Sequence, residues 1–364
     1  MVLSVQPARP IRARIDTRAF RDNYLLSKRT APQARAFCVV KANAYGHGLA
    51  QCAQAVRDVA DGFALLDLAE ANYLREAEYV QPILLLEGCF DAADWHEAAS
   101  LRVSVVVHSL PQLQALEAAR LMRPLEVFLK INTGMNRLGF SVEEVPEVLA
   151  RLRASTNVAA IIGMTHFATA DGEGVDAPWA HFMAATQDTG LQISASNSAA
   201  LLRFPQTHGA WVRPGIMLYG GSPMPALQSA ADIGLKPVMT LESALIAVQE
   251  LHAGERVGYG GTFVAERAMR IGVVACGYAD GYPRHATTGT PILVDGIRTR
   301  TLGRVSMDML ACDLTGIPGA AIGSAVTLWG KGLPADEVAT AAGTISYELF
   351  CALTTRVPVS FAHD

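Results

Sequence analysis

The sequence predicts an α/β fold: a (β/α)8 barrel of the TIM type followed by a C-terminal, mostly β domain. Two observations carry this expectation. From Ala34 to about Met217, short apolar runs alternate with longer amphipathic stretches, and eight such runs are present. After about Lys236 the helical periodicity fades, and β-branched runs appear between glycines. Near-continuous apolar strands are what a parallel sheet covered by helices requires. A doubly wound open sheet would show the same alternation, so the count of eight alone favours the barrel.

In chain order the barrel strands are expected at Ala36–Val40, Gly62–Leu65, Ile83–Leu86, Val103–Val107, Leu125–Ile131, Ala159–Thr165, Leu191–Ser194 and Ala210–Val212, with helical segments between most of them. The second domain is expected to hold strands at Leu241–Leu251, Ile271–Cys276, Pro291–Val294, Ile297–Leu302 and Ala325–Trp329. Two late helices are expected at Ala335–Ala341 and Ile345–Leu353. The division falls at residues 1–235 for the barrel and 236–364 for the β domain, with the first residues free to join the latter. No internal repeat or low-complexity tract interrupts this plan.

The chain has 364 residues, 51% of them apolar, enough to bury a large core. A net charge of −4 argues against nucleic acid, which rewards a basic face, and leaves no membrane-surface patch. Six cysteines, at 38, 52, 89, 276, 312 and 351, form no C-x-x-C pair and are expected to be buried thiols in a reducing compartment. The first fourteen residues lack the apolar run of a signal peptide, and no stretch is apolar for long enough to span a bilayer. A soluble, cytoplasmic protein is expected. No His/Cys/Asp spacing suggests a metal site.

In a barrel of this type the site is built at the C-terminal ends of the strands. Lys41 directly follows the first strand, Arg137 and His166 follow the fifth and sixth, Ser198 the seventh and Arg213 the eighth. Lys41 is one of only five lysines. At a strand end its amine should face a partly desolvated cavity, which favours the neutral, nucleophilic form that a Schiff base needs. The alternative is a lysine snorkelling from a strand end. Barrels commonly hold phosphate between the loops after strands seven and eight. Ser198 opens a helical stretch, and Gly215 and Ile216 follow a proline at a helix start, so both loops offer free N–H groups. For Ser198 the alternative is a simple helix cap. His47, His108, His208 and His252 carry no role in this reading and are expected to be surface or loop histidines.

A lysine plus a phosphate site on a barrel makes pyridoxal 5'-phosphate (PLP) a candidate cofactor. The stretch Val40-Lys41-Ala42-Asn43-Ala44-Tyr45-Gly46-His47-Gly48 resembles the PLP-lysine signature of alanine racemases. Arg213-Pro214-Gly215-Ile216, Val257-Gly258-Tyr259-Gly260, Gly277-Tyr278-Ala279-Asp280-Gly281-Tyr282 and Gly303-Arg304-Val305-Ser306-Met307-Asp308 resemble that family in its order, and the resemblance runs from about Ile15 to Pro358.

The resemblance implies a head-to-tail homodimer in which Lys41 carries the cofactor in Schiff-base linkage and serves as one catalytic base. Tyr259, reaching into the partner's barrel, would be the other. Two bases on opposite faces of Cα are what interconversion of L- and D-alanine needs. His166 and Arg213 match the pair that supports the tyrosine, and Arg213 matches the residue facing the pyridine nitrogen. An arginine does not give up its proton, so that nitrogen stays unprotonated. Tyr45, Ser198, Gly215, Ile216 and Tyr347 match the phosphate-binding set, with Asn197 beside it. Arg137 matches the arginine that contacts the cofactor's phenolic oxygen and the substrate carboxylate, for which a fork of donors is suited. Met307 matches a partner-chain residue near that carboxylate, and Asp308 adjoins it. Tyr278 and Tyr347 match tyrosines that narrow the entrance and favour a small side chain. Lys130 matches a lysine carbamylated in some members; the alternative is a pairing with an acidic neighbour. Cell-wall precursor supply and alanine catabolism both remain open. Three other readings are a racemase of broader range, a PLP-dependent decarboxylase and a non-catalytic PLP carrier. The decarboxylases place an acid where Arg213 stands, and the carriers lack the β domain that supplies Tyr259.

Overall fold

The computed structural model describes residues 9–362. Strand β1 (Arg12–Asp16) comes first and belongs to the second sheet. Its Ala13 and Ile15 point inward and its charged residues outward, the alternation of a half-buried strand. Asp16 then caps the helix Thr17–Thr30 by accepting from the Ala19 N–H, so the chain turns directly into the barrel.

The barrel is made of β2 (Arg35–Val39), β3 (Gly62–Leu65), β4 (Ile83–Leu85), β5 (Ser104–Val107), β6 (Leu125–Lys130), β7 (Val158–Met164), β8 (Gln192–Ser194) and β9 (Trp211–Val212). These strands are parallel and consecutive from β2 to β8, with β9 against β2. Between β8 and β9 the ring is closed by single bonds: the Ala210 N–H donates to Ile193, the Arg213 N–H to Ser196, and Ser194 Oγ to the Trp211 carbonyl. The eight runs expected from sequence are these eight strands. Burial on both faces explains the reading, since β3, β4 and β5 are buried at every position.

The second unit contains β10 (Met239–Leu251), β11 (Arg256–Val257), β12 (Phe263–Val264), β13 (Met269–Val274), β14 (Pro291–Val294), β15 (Ile297–Leu302), β16 (Leu310–Asp313), β17 (Ala325–Trp329) and β18 (Val359–Ala362). The order β13-β16-β15-β14-β17-β10 closes on itself because β10 also pairs with β13. Two irregularities in β10, at Leu241/Glu242 and Leu245/Ala247, bend it enough to serve both neighbours. β1 and β18 extend the sheet beyond β10. The sequence reading missed β1, β11, β12, β16 and β18. β1 and β16 alternate between buried and less buried positions rather than run apolar, β11 and β12 are two residues long, and β1 and β18 find their partners far along the chain.

The late helices span Ala335–Ala342 and Ser346–Cys351. The second lies across the mouth of the barrel. A Cβ on Gly46 would come within 2.4 Å of the Phe350 carbonyl oxygen, so the first barrel loop and this helix touch through backbone. Among the described residues no helix is long and apolar enough to cross a membrane. One cysteine departs from expectation: Cys351, at the end of this helix, is exposed, while the other five are buried.

Candidate active site

A cavity of about 810 Å³ opens at the C-terminal ends of the barrel strands. Lys41 and Tyr45 reach it from the loop after β2, Lys130 from the end of β6, Arg137 from the loop beyond, His166 from after β7, Asn197 and Ser198 from after β8, and Arg213 and Gly215 from after β9. Tyr347 and Cys351 line it from the second unit. Ile216 starts the short 3-10 helix Ile216–Tyr219 and is fully buried; it does not line the cavity. Glu87, Phe90 and His108 also line it; the sequence reading passed over the first two and gave His108 no role. Glu87 follows β4 by the same strand-end logic, and that position was the available signal.

The loop carrying Lys41 has an unusual backbone. Ala42, Asn43, Ala44 and Tyr45 have φ of 55°, 52°, 53° and 51°, one turn of left-handed helix without a glycine. Such a conformation costs about 1–2 kcal/mol per residue, so the surroundings must impose it. They do so with bonds at both ends. The Ala44 N–H donates to Val40, the Gly46 N–H to Ala42, and the Gly48 N–H to Asn43. Glu70 accepts from the Asn43 N–H at 3.0 Å, and the Asn43 side chain accepts from the Leu49 N–H at 2.8 Å. The turn places Lys41 at its start and Tyr45 at its end on the cavity wall. Tyr45 stacks on Tyr219, whose hydroxyl donates to the Val39 carbonyl at 2.7 Å and so ties the turn to β2.

Arg137 is presented by a ring of backbone. Asn132 Oδ1 accepts from the N–H groups of Gly134 and Asn136, and Lys130 and Asn132 bond to Phe140 across the base. Among the described residues the Arg137 side chain has no hydrogen-bond or ion-pair partner. Arg213 is the opposite. Buried at the end of β9, it donates to Ser194 Oγ at 2.6 Å and to the carbonyls of Thr165 and Ala195. Burial lowers its pKa to about 9, which still leaves it charged at neutral pH.

Asn197 caps the helix Ser198–Arg203 through the Ala200 N–H and donates to the Phe167 carbonyl, so its side chain joins two loops. The cap is therefore Asn197, and the Ser198 hydroxyl is free to act elsewhere. Its Oγ accepts from the Gly215 N–H at 2.8 Å, bridging the last two barrel loops. A Cβ on Gly215 would lie 2.9 Å from the Tyr45 hydroxyl, so that position admits only glycine without displacing the phenol.

The electrostatics follow from this clustering. Burial and then the Arg137 guanidinium hold the Lys41 amine below its ordinary pKa. Burial, then Arg213 and Arg137, hold Lys130 well below its own, and no acidic partner pairs with it among the described residues. That removes the expectation of a simple pairing for Lys130. Burial and the neighbouring Lys130, Arg213, Arg137 and Lys41 hold His166 well below its usual value, so its imidazole is neutral. Four basic side chains thus face a cavity with one lining carboxylate, Glu87. Such a chamber attracts a ligand with more than one negative group.

Four expected site residues lie elsewhere. Tyr259 is 71% exposed on the short helix Tyr259–Gly261, and Met307 is 52% exposed. Tyr278 is also exposed, and Asp308 is bound by Arg356 at 2.7 Å. None of the four lines the Lys41 cavity within one chain. His47, expected at the surface, is instead fully buried under the Lys41 turn; its neighbours there, Tyr219 and Phe350, are remote in sequence.

The chain matches the family model for the alanine racemase N-terminal domain over residues 15–223 and that for the C-terminal domain over residues 238–361. It belongs to the alanine racemase family. A catabolic alanine racemase of Salmonella typhimurium is 54% identical over 351 residues, covering 96% of this chain and 98% of that one. An alanine racemase of Laribacter hongkongensis is 54% identical over 352 residues, again covering 96% and 98%. Among solved structures, the biosynthetic alanine racemase of Pseudomonas aeruginosa superposes with a TM-score of 0.95 at 49% identity, covering 98% of this chain and all of that one. The alanine racemase fold accounts for both units of the molecule, the parallel barrel and the closed β sheet.

Proposed function

We propose that this chain interconverts L- and D-alanine with PLP held on Lys41, as a homodimer in which each cavity is completed by the partner. The observation that carries the proposal is the convergence of Lys41, Arg213 and the Ser198–Gly215 bridge on one cationic cavity at the barrel mouth. The residues fit the cofactor. A buried amine held below its ordinary pKa is a competent nucleophile toward an aldehyde. The space at Gly215, which a Cβ would fill, borders the hydroxyl of Tyr45 and the Ser198 loop, with Tyr347 opposite at 5.8 Å between ring centroids from Tyr45. Those groups would hold the phosphate, and Arg213 would face the ring nitrogen. When bound, the cofactor's ring supplies the electron sink that acidifies the substrate Cα–H.

Arg213 keeps its proton and offers no acceptor, so a ring nitrogen facing it stays unprotonated. Arg137, with no partner in the protein, has its fork free for the substrate carboxylate. Lys41 Nζ takes or returns the proton on one face of Cα. Tyr259 of the partner subunit does so on the other, through its phenolic oxygen. The neutral His166 and charged Arg213 would stand beside that oxygen and position it. Tyr278, Met307 and Asp308 would reach the substrate from the partner with Tyr259, and the exposure of Tyr278 and Met307 in the single chain is what such a role requires. Lys130, a buried amine without a carboxylate partner, is the position for a carbamate that would brace Arg137. A cytoplasmic location completes the proposal.

The test is incubation of the PLP-loaded protein with L-alanine in deuterated water. D-alanine carrying deuterium at Cα is expected. Lys41→Ala should abolish the visible absorbance of the bound cofactor and lower turnover by at least 10²–10⁴-fold, roughly the worth of a positioned base. Tyr259→Phe should slow turnover while that absorbance remains. Absence of D-alanine with cofactor bound would sink the proposal, as would full activity of Tyr259→Phe in both directions.

A further inference from the structure

The catalytic machinery just described leaves His47 unused, although it is one of the most deeply buried polar side chains in the molecule. Its ring lies beneath the Lys41 turn. Nδ1 is 3.1 Å from the Ala44 carbonyl oxygen and 2.9 Å from that of Tyr45. One face of the imidazole packs on Tyr219 at 4.7 Å and its edge meets Phe350 at 5.0 Å. Nε2 is buried and has no partner among the described residues.

We propose that His47 is a positioning residue for the cofactor lysine: its Nδ1–H holds the last two carbonyls of the left-handed turn and thereby sets where Lys41 and Tyr45 stand on the cavity wall. Two features require this reading. The first is the tautomer. Both neighbours of Nδ1 are carbonyl oxygens, which only accept, so Nδ1 carries the proton and Nε2 is a bare lone pair. A lone pair against aromatic rings is a smaller loss than an unpaired N–H would be, which is how the orphaned Nε2 is tolerated. The second is the backbone. Four successive residues other than glycine are held at positive φ, from Ala42 to Tyr45. In that conformation the carbonyls of Ala44 and Tyr45 converge on one side of the chain, and a single donor can serve both. The His47 N–H also donates to Ala44, so the residue grips the turn by backbone and side chain together.

The arrangement joins three parts of the site. Tyr219, against which His47 packs, also stacks on Tyr45 and bonds to β2. Phe350 belongs to the helix that contributes Tyr347 and Cys351 to the cavity. His47 therefore sits where the cofactor-lysine loop, the phosphate-side tyrosine and the second unit meet. It touches neither substrate nor cofactor. Its effect passes through the turn.

This inference rests on the reading of Lys41 and Tyr45 as cofactor ligands, and the test separates the two. His47→Asn keeps an amide N–H near the place of Nδ1. His47→Gln carries its amide toward Nε2 and leaves the two carbonyls without a donor. The PLP-loaded variants are compared with wild type for cofactor release rate, for the visible absorbance spectrum of the bound cofactor across pH, and for kcat and KM with alanine. His47→Asn should stay within about threefold of wild type. His47→Gln should release cofactor at least about tenfold faster, shift the pH profile of the absorbance and lower kcat, with KM for alanine little changed. Equal behaviour of the two variants would overturn the proposal. Should either variant fail to fold, wild-type protein labelled with ¹⁵N-histidine decides: His47 must show a protonated Nδ1 and a bare Nε2, and the reverse tautomer would overturn it. A wild-type protein that loads PLP but makes no D-alanine would instead count against the functional proposal.

Discussion

Lys41 and His47 show how burial does opposite work on two bases in one loop. For Lys41 the loss of water makes a reactive amine. For His47 it holds the imidazole neutral, its pKa lowered to about 4 by burial, with the two carbonyl bonds pulling the other way. Stability depends on pH as a result. Unfolded, the residue titrates near 6.5, so between about 6.5 and about 4 the unfolded chain binds more protons than the folded one. Stability is therefore complete above the upper value and is lost as the pH falls through that window, by about 3 kcal/mol for this one group. Chemical denaturation of wild type and His47→Asn between pH 7 and pH 4 should show a steeper loss in wild type. Other buried bases such as His166 are common to both proteins and cancel in the comparison. Parallel curves would mean that His47 is hydrated or already protonated. Lys41 was legible in the sequence because a lysine after an apolar run has few bland explanations. His47 was not, because a histidine between glycines reads as a surface loop, and what buries it comes from Tyr219 and Phe350.

At the level of elements, the site depends on how loops meet. Gly46 and Gly215 separate two requirements. Gly46 has φ of 75° and its hypothetical Cβ would strike the Phe350 carbonyl oxygen, so Gly46→Ala should disturb backbone and lower the melting temperature by several degrees. Gly215 has a negative φ of −119°, and the added methyl would meet the Tyr45 phenol rather than backbone. Gly215→Ala should therefore bind PLP about tenfold more weakly, a change of roughly 1.4 kcal/mol. Equilibrium titration of the apoprotein with PLP, beside a thermal melt, checks both. Equal PLP affinity would place the phosphate away from Gly215. The strand-end grammar of a barrel made Arg213, Ser198 and Gly215 readable in advance. It did not reveal that Asn197 is the helix cap, that Ser198 bridges to Gly215, or that Cys351 reaches the cavity rim from a helix assigned to the other unit.

For the whole molecule, the decisive fact is that one chain holds Lys41 in a cavity and Tyr259 in the open. If the two meet across a dimer, two dead variants should rescue each other. Lys41→Ala and Tyr259→Phe, unfolded and refolded together, would form mixed dimers with one intact cavity and one lacking both groups. With random pairing about half the dimers are mixed, so activity should recover to about a quarter of wild type. Each variant refolded alone should stay far below that level. No recovery, with mixed dimers shown to form, would place Tyr259 outside the partner's cavity. The anchoring of the β unit is legible only here as well. Asp280, fully buried, is bound by Arg9 from the start of the chain and by Arg356 near its end.

The sequence by itself determined the layered plan of this protein. Eight buried parallel strands must be apolar along their whole length, and a barrel puts its chemistry where those runs stop, so strand ends and ligands could be read together. It also singled out candidates for the chemistry, because a lysine or arginine directly after an apolar strand is costly unless it is used. The tertiary structure decided everything that depends on residues distant in the chain. It settled the pairing of β1 with β10 and β18, the closure of the second sheet through β13, the left-handed turn under Lys41 and the burial of His47. Half-buried strands and strained turns have no strong local preference of their own. Their conformation is imposed by partners that only folding brings together.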